Sequence, residues 1–278
     1  MNLRSKIVII IILLVAIYAP TFISLSQKFL AADSYYSHGF LVPLVSAYLI
    51  WRKRKRLKEL LPSQPCKSGL ALLAGGMLLH LISTVLKINF GSYFSLLIVL
   101  AGLALYLPGK RITRELIFPL AFLIFMLPLP DVIIIAVSFK MKIIAAQIAA
   151  GAVNMMGIPT TRDGSTIYLP GSFLLVGDPC SGLRSLISLL ALGAVFTQFI
   201  SAGLSRKITF FLSSIPIALI SNVLRIILLL LVTHIYGKKV ALGFFHDLSG
   251  MLVFVFAFLG LIIVMRLLRC RIIRTTPR

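Results

Sequence analysis

Ile208-Thr-Phe-Phe-Leu-Ser-Ser-Ile-Pro-Ile-Ala-Leu-Ile-Ser-Asn222-Val-Leu-Arg225-Ile-Ile-Leu-Leu-Leu-Leu-Val-Thr-His-Ile-Tyr236 decides the fold. About 20 apolar residues suffice to carry a helix across ~30 Å of hydrocarbon. This run is longer, so it reads as a span that tilts or protrudes. Its one fixed charge is Arg225. An arginine at the bilayer centre costs about 2.5–3.5 kcal/mol on insertion scales, and such a residue faces the protein interior or a wet cavity. Asn222 lies three residues earlier and shares its helical face. The sequence holds no acidic residue in this run or the preceding apolar one, which leaves Asp178, Asp247 or a substrate to pair with Arg225.

The rest of the chain fits the same solvent. Of 278 residues, 59% are hydrophobic and 13% charged, whereas soluble globules run near 45–50% and 25%. The formal charge of +21 would suggest nucleic acid in a soluble chain. Here it suits cytoplasmic span ends meeting anionic lipid, and nucleic-acid binding is excluded. Eight apolar runs are read as spans: Ile7–Leu25, Phe40–Trp51 (starting near Tyr35), Gly69–Leu86, Ser92–Leu107, Leu116–Pro130, Ser181–Ala202, Ile208–Tyr236 and Leu248–Met265. The expected fold is an all-α polytopic membrane protein. With no internal repeat or linker, residues 1–278 read as a single integral membrane domain.

Basic residues set the orientation. Arg4 and Lys6, the Arg52–Arg56 run with Lys58 and Lys67, Lys110, Arg111 and Arg114, Arg206 and Lys207, and the tail Arg266, Arg269, Arg271, Arg274 and Arg278 fall on alternate sides of the spans. The positive-inside rule makes that side cytoplasmic, with both termini inside and a basic tail over 266–278. Asp33, Asp131, Asp163, Asp178 and Asp247 then all lie outside. Val132–Pro159 is apolar but broken by Lys140 and Lys142, and reads as an amphipathic helix in the outer interface. The apolar N-terminal stretch lacks a clear small-x-small cleavage site and reads as an uncleaved anchor.

Between Thr160 and Pro179 the pattern changes. Arg162-Asp163-Gly164-Ser165 reads as a turn, Thr166–Leu169 and Ser172–Val176 as β-prone runs, and Pro170-Gly171 as a type II turn between them. A small β-hairpin-like loop on the outer face therefore leads into Cys180-Ser-Gly-Leu-Arg184-Ser185. In this topology Cys66 and Cys270 are cytoplasmic, so Cys180 is the only outward cysteine. Free cysteine is most often a buried small hydrophobe. A place at a helix start, with Arg184 four residues on, would instead favour thiolate. Arg184 alone could be a snorkelling span end. His246, after Phe244-Phe245 and just before Ser249-Gly250, maps to the same leaflet as Cys180, Arg184 and Arg225, and His38 reaches that side too. His80, inside the third run, reads as helix-packing glue.

A thiolate, an imidazole and a guanidinium together suit covalent acyl transfer: attack on a carbonyl, proton exchange near neutral pH, and support of the oxyanion. No zinc-ligand spacing, phosphate-binding glycine loop or Gly-x-Ser-x-Gly elbow is present, so no metal or cofactor is expected.

The blocks Cys180-Ser-Gly-Leu-Arg-Ser185, Asn222-Val-Leu-Arg225-Ile and His246 shortly before Gly250 resemble the three motifs of the exosortase/archaeosortase family. Tyr36-Ser-His38-Gly-Phe-Leu-Val-Pro43, followed by Trp-Arg-Lys-Arg, resembles its early signature. The resemblance runs from about Ser34 to Gly250. It implies a multi-pass transpeptidase-like enzyme of the bacterial cytoplasmic membrane with its site on the extracytoplasmic side. Cys180 would be the nucleophile, Arg225 the transition-state stabiliser and His246 the third member, with Arg184, Asn222 and His38 supporting. The implied substrates are secreted proteins with a C-terminal sorting tail: a Pro-Glu-Pro-like motif, a hydrophobic helix and a basic end. The tail would enter laterally through the lipid, be cut through a thioester and pass to an unidentified acyl acceptor, alongside exopolysaccharide production. One departure is Pro179, where a small residue is expected. The competing reading is a non-catalytic component of polysaccharide export that binds an anionic lipid-linked sugar. A small-solute transporter would instead gather its polar residues at mid-membrane.

The topology makes a direct prediction. A membrane-impermeant maleimide on intact spheroplasts reaches Cys180 at most, and labelling of Cys270 would invert the orientation.

Overall fold

A computed structural model describes residues 3–31, 34–61 and 64–272. Asp33, Arg274, Arg278 and the side chains of Pro179 and Asp247 lie outside the described set. The chain forms two compact units, Met1–Pro130 and Asp131–Arg278.

The first unit is helical. Its helices are α1 (Leu3–Ile17), α2 (Ala19–Leu30), α3 (Leu41–Arg52), α4 (Arg54–Glu59), α5 (Ser68–Val85), α6 (Asn89–Tyr106) and α7 (Gly109–Phe122), with 3-10 turns at Ser37–Phe40 and Leu123–Met126. The expected straight first span is broken: α1 and α2 meet at 65°, with Pro20 in the first turn of α2 where its missing N–H does no harm. Polar side chains then tie α2 to α6. Tyr18 and Ser95 hydroxyls lie 3.0 Å apart, Thr21 and Ser92 2.7 Å, and Ser24 and Tyr93 2.7 Å. His80 joins them, with Nδ1 3.0 Å from Ser92 Oγ and its ring 4.1 Å from that of Tyr18, the packing role its sequence position suggested.

Small residues let α5 and α6 approach. A Cβ on Gly102 would lie 2.8 Å from the Leu73 backbone nitrogen, and one on Gly76 2.8 Å from Val99 Cγ2. In lipid, helix association relies on such close packing. On α7, Pro119 cannot donate to the Glu115 carbonyl, as the residue four places on normally would. Lys53 Nζ takes that carbonyl at 2.7 Å and the Glu115 carboxylate at 3.0 Å, and Ser46 Oγ donates to Pro119 O at 2.8 Å. One charged side chain thus repairs the proline break and ties α3 to α7.

The second unit contains α8 (Asp131–Met155), β1 (Thr161–Asp163), β2 (Thr166–Leu169), β3 (Ser172–Leu175), a 3-10 turn at Asp178–Cys180, α9 (Leu183–Phe196), β4 (Ile200–Ser201), α10 (Leu204–Tyr236), α11 (Lys238–Leu242), α12 (Phe244–Leu267) and β5 (Arg271–Ile272). The expected hairpin is present with Leu169 opposite Ser172 and Thr166 opposite Leu175, and Gly171 takes φ +74° at the tight turn. Arg162 and Asp163 are not turn residues as expected. They belong to a third antiparallel strand, Asp163 facing Thr166, and the turn centres on Gly164 at φ +58°. The period of two puts Ile167, Leu169 and Leu174 into a core with Ala145, Ala149 and Val153 of α8 and Ile226, Leu229 and Leu230 of α10.

A second core joins α9, α10 and α12 through Leu189, Phe210, Ala218, Ala257 and Leu261. A Cβ on Gly193 of α9 would strike Ser214 Oγ of α10, and one on Gly260 of α12 would sit 3.0 Å from Ile217. At their far end, Ile200 pairs with Ile272 and Ser201 with Arg271, fastening the chain after α12 to the loop before α10.

Among the described residues, by length and composition five helices could cross a membrane (α5, α6, α8, α10 and α12), or six counting the bent α1–α2 pair. This differs from the eight expected spans. The runs Phe40–Trp51 and Ser181–Ala202 yield helices of only 12 and 14 residues, and Leu116–Pro130 gives the end of α7 and a 3-10 turn. Val132–Pro159 differs as well. Instead of an interfacial amphipathic helix it forms a 25-residue helix whose early Val132, Ile133, Ile135, Val137 and Phe139 are exposed. The Lys142 side chain is mostly covered and its ammonium bonds the exposed Asp178 carboxylate, so the charge is met within a continuous helix, while Lys140 is exposed as expected.

Overpacking a filled helix contact costs about 1–3 kcal/mol. Gly102→Leu is therefore expected to lower the melting temperature in detergent clearly. Gly75→Leu, where a Cβ meets nothing within 4 Å, leaves it near wild type. Equal melting of both variants would contradict the close α5–α6 contact.

Candidate active site

Gly177 is extended and feeds the Asp178–Cys180 turn. Cys180 N–H donates to Gly177 O at 3.0 Å and Ser181 N–H to Asp178 O at 3.1 Å. Gly182, at φ +81°, then reverses the chain into α9. A Cβ there would lie 2.8 Å from the Asn222 carboxamide, so glycine is required twice, by the backbone angle and by the neighbour. Asn222, 1% exposed, uses the space to donate from Nδ2 to Cys180 O at 2.9 Å. Ser185 Oγ closes the turn on Gly182 O at 2.8 Å. The Cys-Ser-Gly-Leu-Arg-Ser block is thus a device for presenting one cysteine beside α10.

Cys180 is 7% exposed, and its Sγ lies 3.5 Å from His246 Nε2. Arg225 Nη2 lies 3.2 Å from the same ring nitrogen and 3.3 Å from His246 O. Arg225 Nε donates to Ser249 Oγ at 3.1 Å, and Ser249 Oγ donates to His246 O at 2.8 Å. A guanidinium has donors only. His246 Nε2 therefore accepts from Arg225, which puts the ring proton on Nδ1 and leaves the single Nε2 lone pair shared between the guanidinium and the thiol. Burial pushes the Cys180 thiol up, and the Arg225 charge works against that rise.

The structure brings Cys180, Asn222, Arg225 and His246 together. Arg184 is placed differently from expectation. Cys180 ends a separate 3-10 turn, and the left-handed Gly182 interrupts the helical path, so Arg184 is not one helical turn above the sulfur. The expected lowering of the thiol by a helix start and Arg184 gives way to burial opposed by Arg225. His38 belongs to the first unit, where its ring bonds to the backbone of Phe125 and Gly39 passes under the Phe29 ring that any Cβ would strike. Asp178, one expected partner for Arg225, instead bonds Lys142 Nζ at 2.7 Å. Sequence reasoning missed Ser249 as a site residue. The signal was its spacing of three from His246, which puts both on one face of α12.

An apolar groove of about 290 Å³ runs between α10 and α12 from Arg225 and Ser249 past Leu228, Leu252, Val253 and Phe256. Among the described residues no three His, Cys, Asp or Glu side chains converge to hold a metal ion.

Fold and site define a class: a multi-pass, mostly helical membrane protein in which a buried cysteine meets a histidine and an intrahelical arginine. The sequence model of transmembrane exosortases matches residues 30–263, and the chain belongs to the transmembrane exosortase family. No curated protein and no solved structure matches it.

Because burial favours the uncharged thiol and Arg225 favours the thiolate, alkylation of Cys180 by N-ethylmaleimide is expected to rise with pH through a midpoint above the ordinary thiol range. Arg225→Met moves the midpoint higher and slows the reaction at neutral pH. A profile indifferent to Arg225 would contradict the geometry.

Proposed function

We propose that the protein is a membrane cysteine peptidase of the transpeptidase kind. It cuts the C-terminal sorting tail of secreted proteins and hands the new C-terminus to an acceptor, in the setting of exopolysaccharide production. The observation that carries this reading is the pair of contacts at His246 Nε2, thiol on one side and guanidinium on the other.

The chemistry follows from that shared nitrogen. The thiol proton passes to Nε2 as Sγ attacks the scissile carbonyl carbon. Once Nε2 carries a proton it no longer accepts from Arg225. Nη2 is released at the moment negative charge develops on the substrate oxygen, and can donate to it. The amide C–N bond then breaks, the leaving amine takes the proton from Nε2, and a thioester remains on Cys180. A second nucleophile (an amine, a hydroxyl or water) attacks the thioester and restores the thiol.

The setting at the bilayer supports the substrate class. Along α12, His246 and Arg266 are about 20 residues apart, roughly 30 Å at 1.5 Å per residue, which is one hydrocarbon thickness. With the arginine-rich end cytoplasmic, the cysteine sits at the extracytoplasmic rim of the inner membrane. A tail anchored by its own hydrophobic helix reaches that level through the lipid, and the α10–α12 groove opens beside Arg225.

Cys180→Ala is expected to abolish tail processing while the protein still accumulates in the membrane. Processing by that variant at the wild-type rate would remove the nucleophile and favour a binding role.

A further inference from the structure

We propose that Ser249 is the positioning residue that holds the Arg225 guanidinium against His246 and the Cys180 thiol; this rests on the nucleophile reading above and assigns the part that prepares it. A hydroxyl has one proton. Ser249 donates it to His246 O at 2.8 Å, so a lone pair faces the Arg225 Nε–H at 3.1 Å. One atom therefore fixes both the turn of α12 that carries His246 and the guanidinium from α10. At 1% exposure, Ser249 leaves no room for bulk water to take over that bond. Serines that bond back to the carbonyl three or four residues earlier are common in helices and need mean nothing. This one also accepts from a charged donor on another helix. The second contact of Arg225 with α12, Nη2 to His246 O at 3.3 Å, is longer and shares its donor with the ring nitrogen. Without the Ser249 hydroxyl, the guanidinium loses its Nε contact with α12.

Among the described residues, the titratable and charged groups nearest the thiol along these elements include Arg225 of α10, His246 of α12, Arg184 of α9 and the Lys142–Asp178 pair between α8 and the cysteine turn. Ser249 touches both Arg225 and the His246 carbonyl, so the Arg225→Met background separates an effect carried by the guanidinium from one carried by the turn of α12.

The test uses full-length protein in native membranes with Cys66→Ser and Cys270→Ser, and N-ethylmaleimide as the probe of Cys180 across pH. Ser249→Val is expected to slow alkylation at neutral pH about three- to tenfold and to shift the profile toward alkali, in the same direction as Arg225→Met. Ser249→Thr, of equal bulk to Val but with its hydroxyl, stays within about twofold of wild type. In the Arg225→Met background, Ser249→Val adds nothing. Equal behaviour of the Thr and Val variants, or independent addition of Ser249→Val to Arg225→Met, would overturn the proposal. The probe needs no substrate, so the outcome does not depend on turnover. Tail processing that survives Cys180→Ala would instead defeat the enzymatic reading and leave the Ser249–Arg225 coupling standing.

Discussion

A guanidinium cannot lose its charge in a protein, and Arg225 is placed in the middle of the longest apolar helix of the chain. That constraint organises the second unit. Its N–H groups must be met by acceptors, and α12 supplies three of them: the His246 ring nitrogen, the His246 carbonyl and the Ser249 hydroxyl. Meeting the charge fixes the start of α12 against α10, and with it the position of the imidazole. A turn built around Gly182 and held by Asn222 then delivers a sulfur to the same imidazole.

The site is consequently quiet at rest. Burial holds the thiol in its uncharged form more firmly than the neighbouring cation can counter. The Nε2 lone pair of His246 faces both the thiol and the guanidinium. In the proposed mechanism a proton leaving sulfur and a donor leaving the imidazole are one event, which ties nucleophile formation to release of the guanidinium. Oxidation of cysteine follows thiolate character and exposure, and Cys180 is buried.

Much of this was legible in the sequence because lipid makes polar residues expensive. Arg225 stood out in its run, Asn222 followed from helical spacing, and Cys180 was set apart by topology. The hairpin was legible from Pro170-Gly171, since few residues tolerate that turn. Other features were hidden for physical reasons. Arg184 looked like the cation for the thiol because helical spacing was carried across Gly182, whose positive φ ends that relation. The eight expected runs correspond to fewer helices of spanning length because apolar runs show neither the bend between α1 and α2 nor helices of 12 to 14 residues. Lys142 looked like a reason for α8 to stay at the surface, but it bonds to Asp178, 36 residues away. Ser249 could not stand out by type, because a serine one turn beyond a histidine becomes informative only when another helix brings an arginine to it.

The most direct measurement of the central claim is the mass of Cys180-containing protein isolated from cells making a tailed substrate, with the last step slowed by cold quenching in acid. The account predicts a hydroxylamine-labile adduct on Cys180 whose mass equals the substrate minus its tail, and no such adduct in Arg225→Met. An adduct on another residue, or tail cleavage at full rate with Cys180 unmodified throughout, would contradict it.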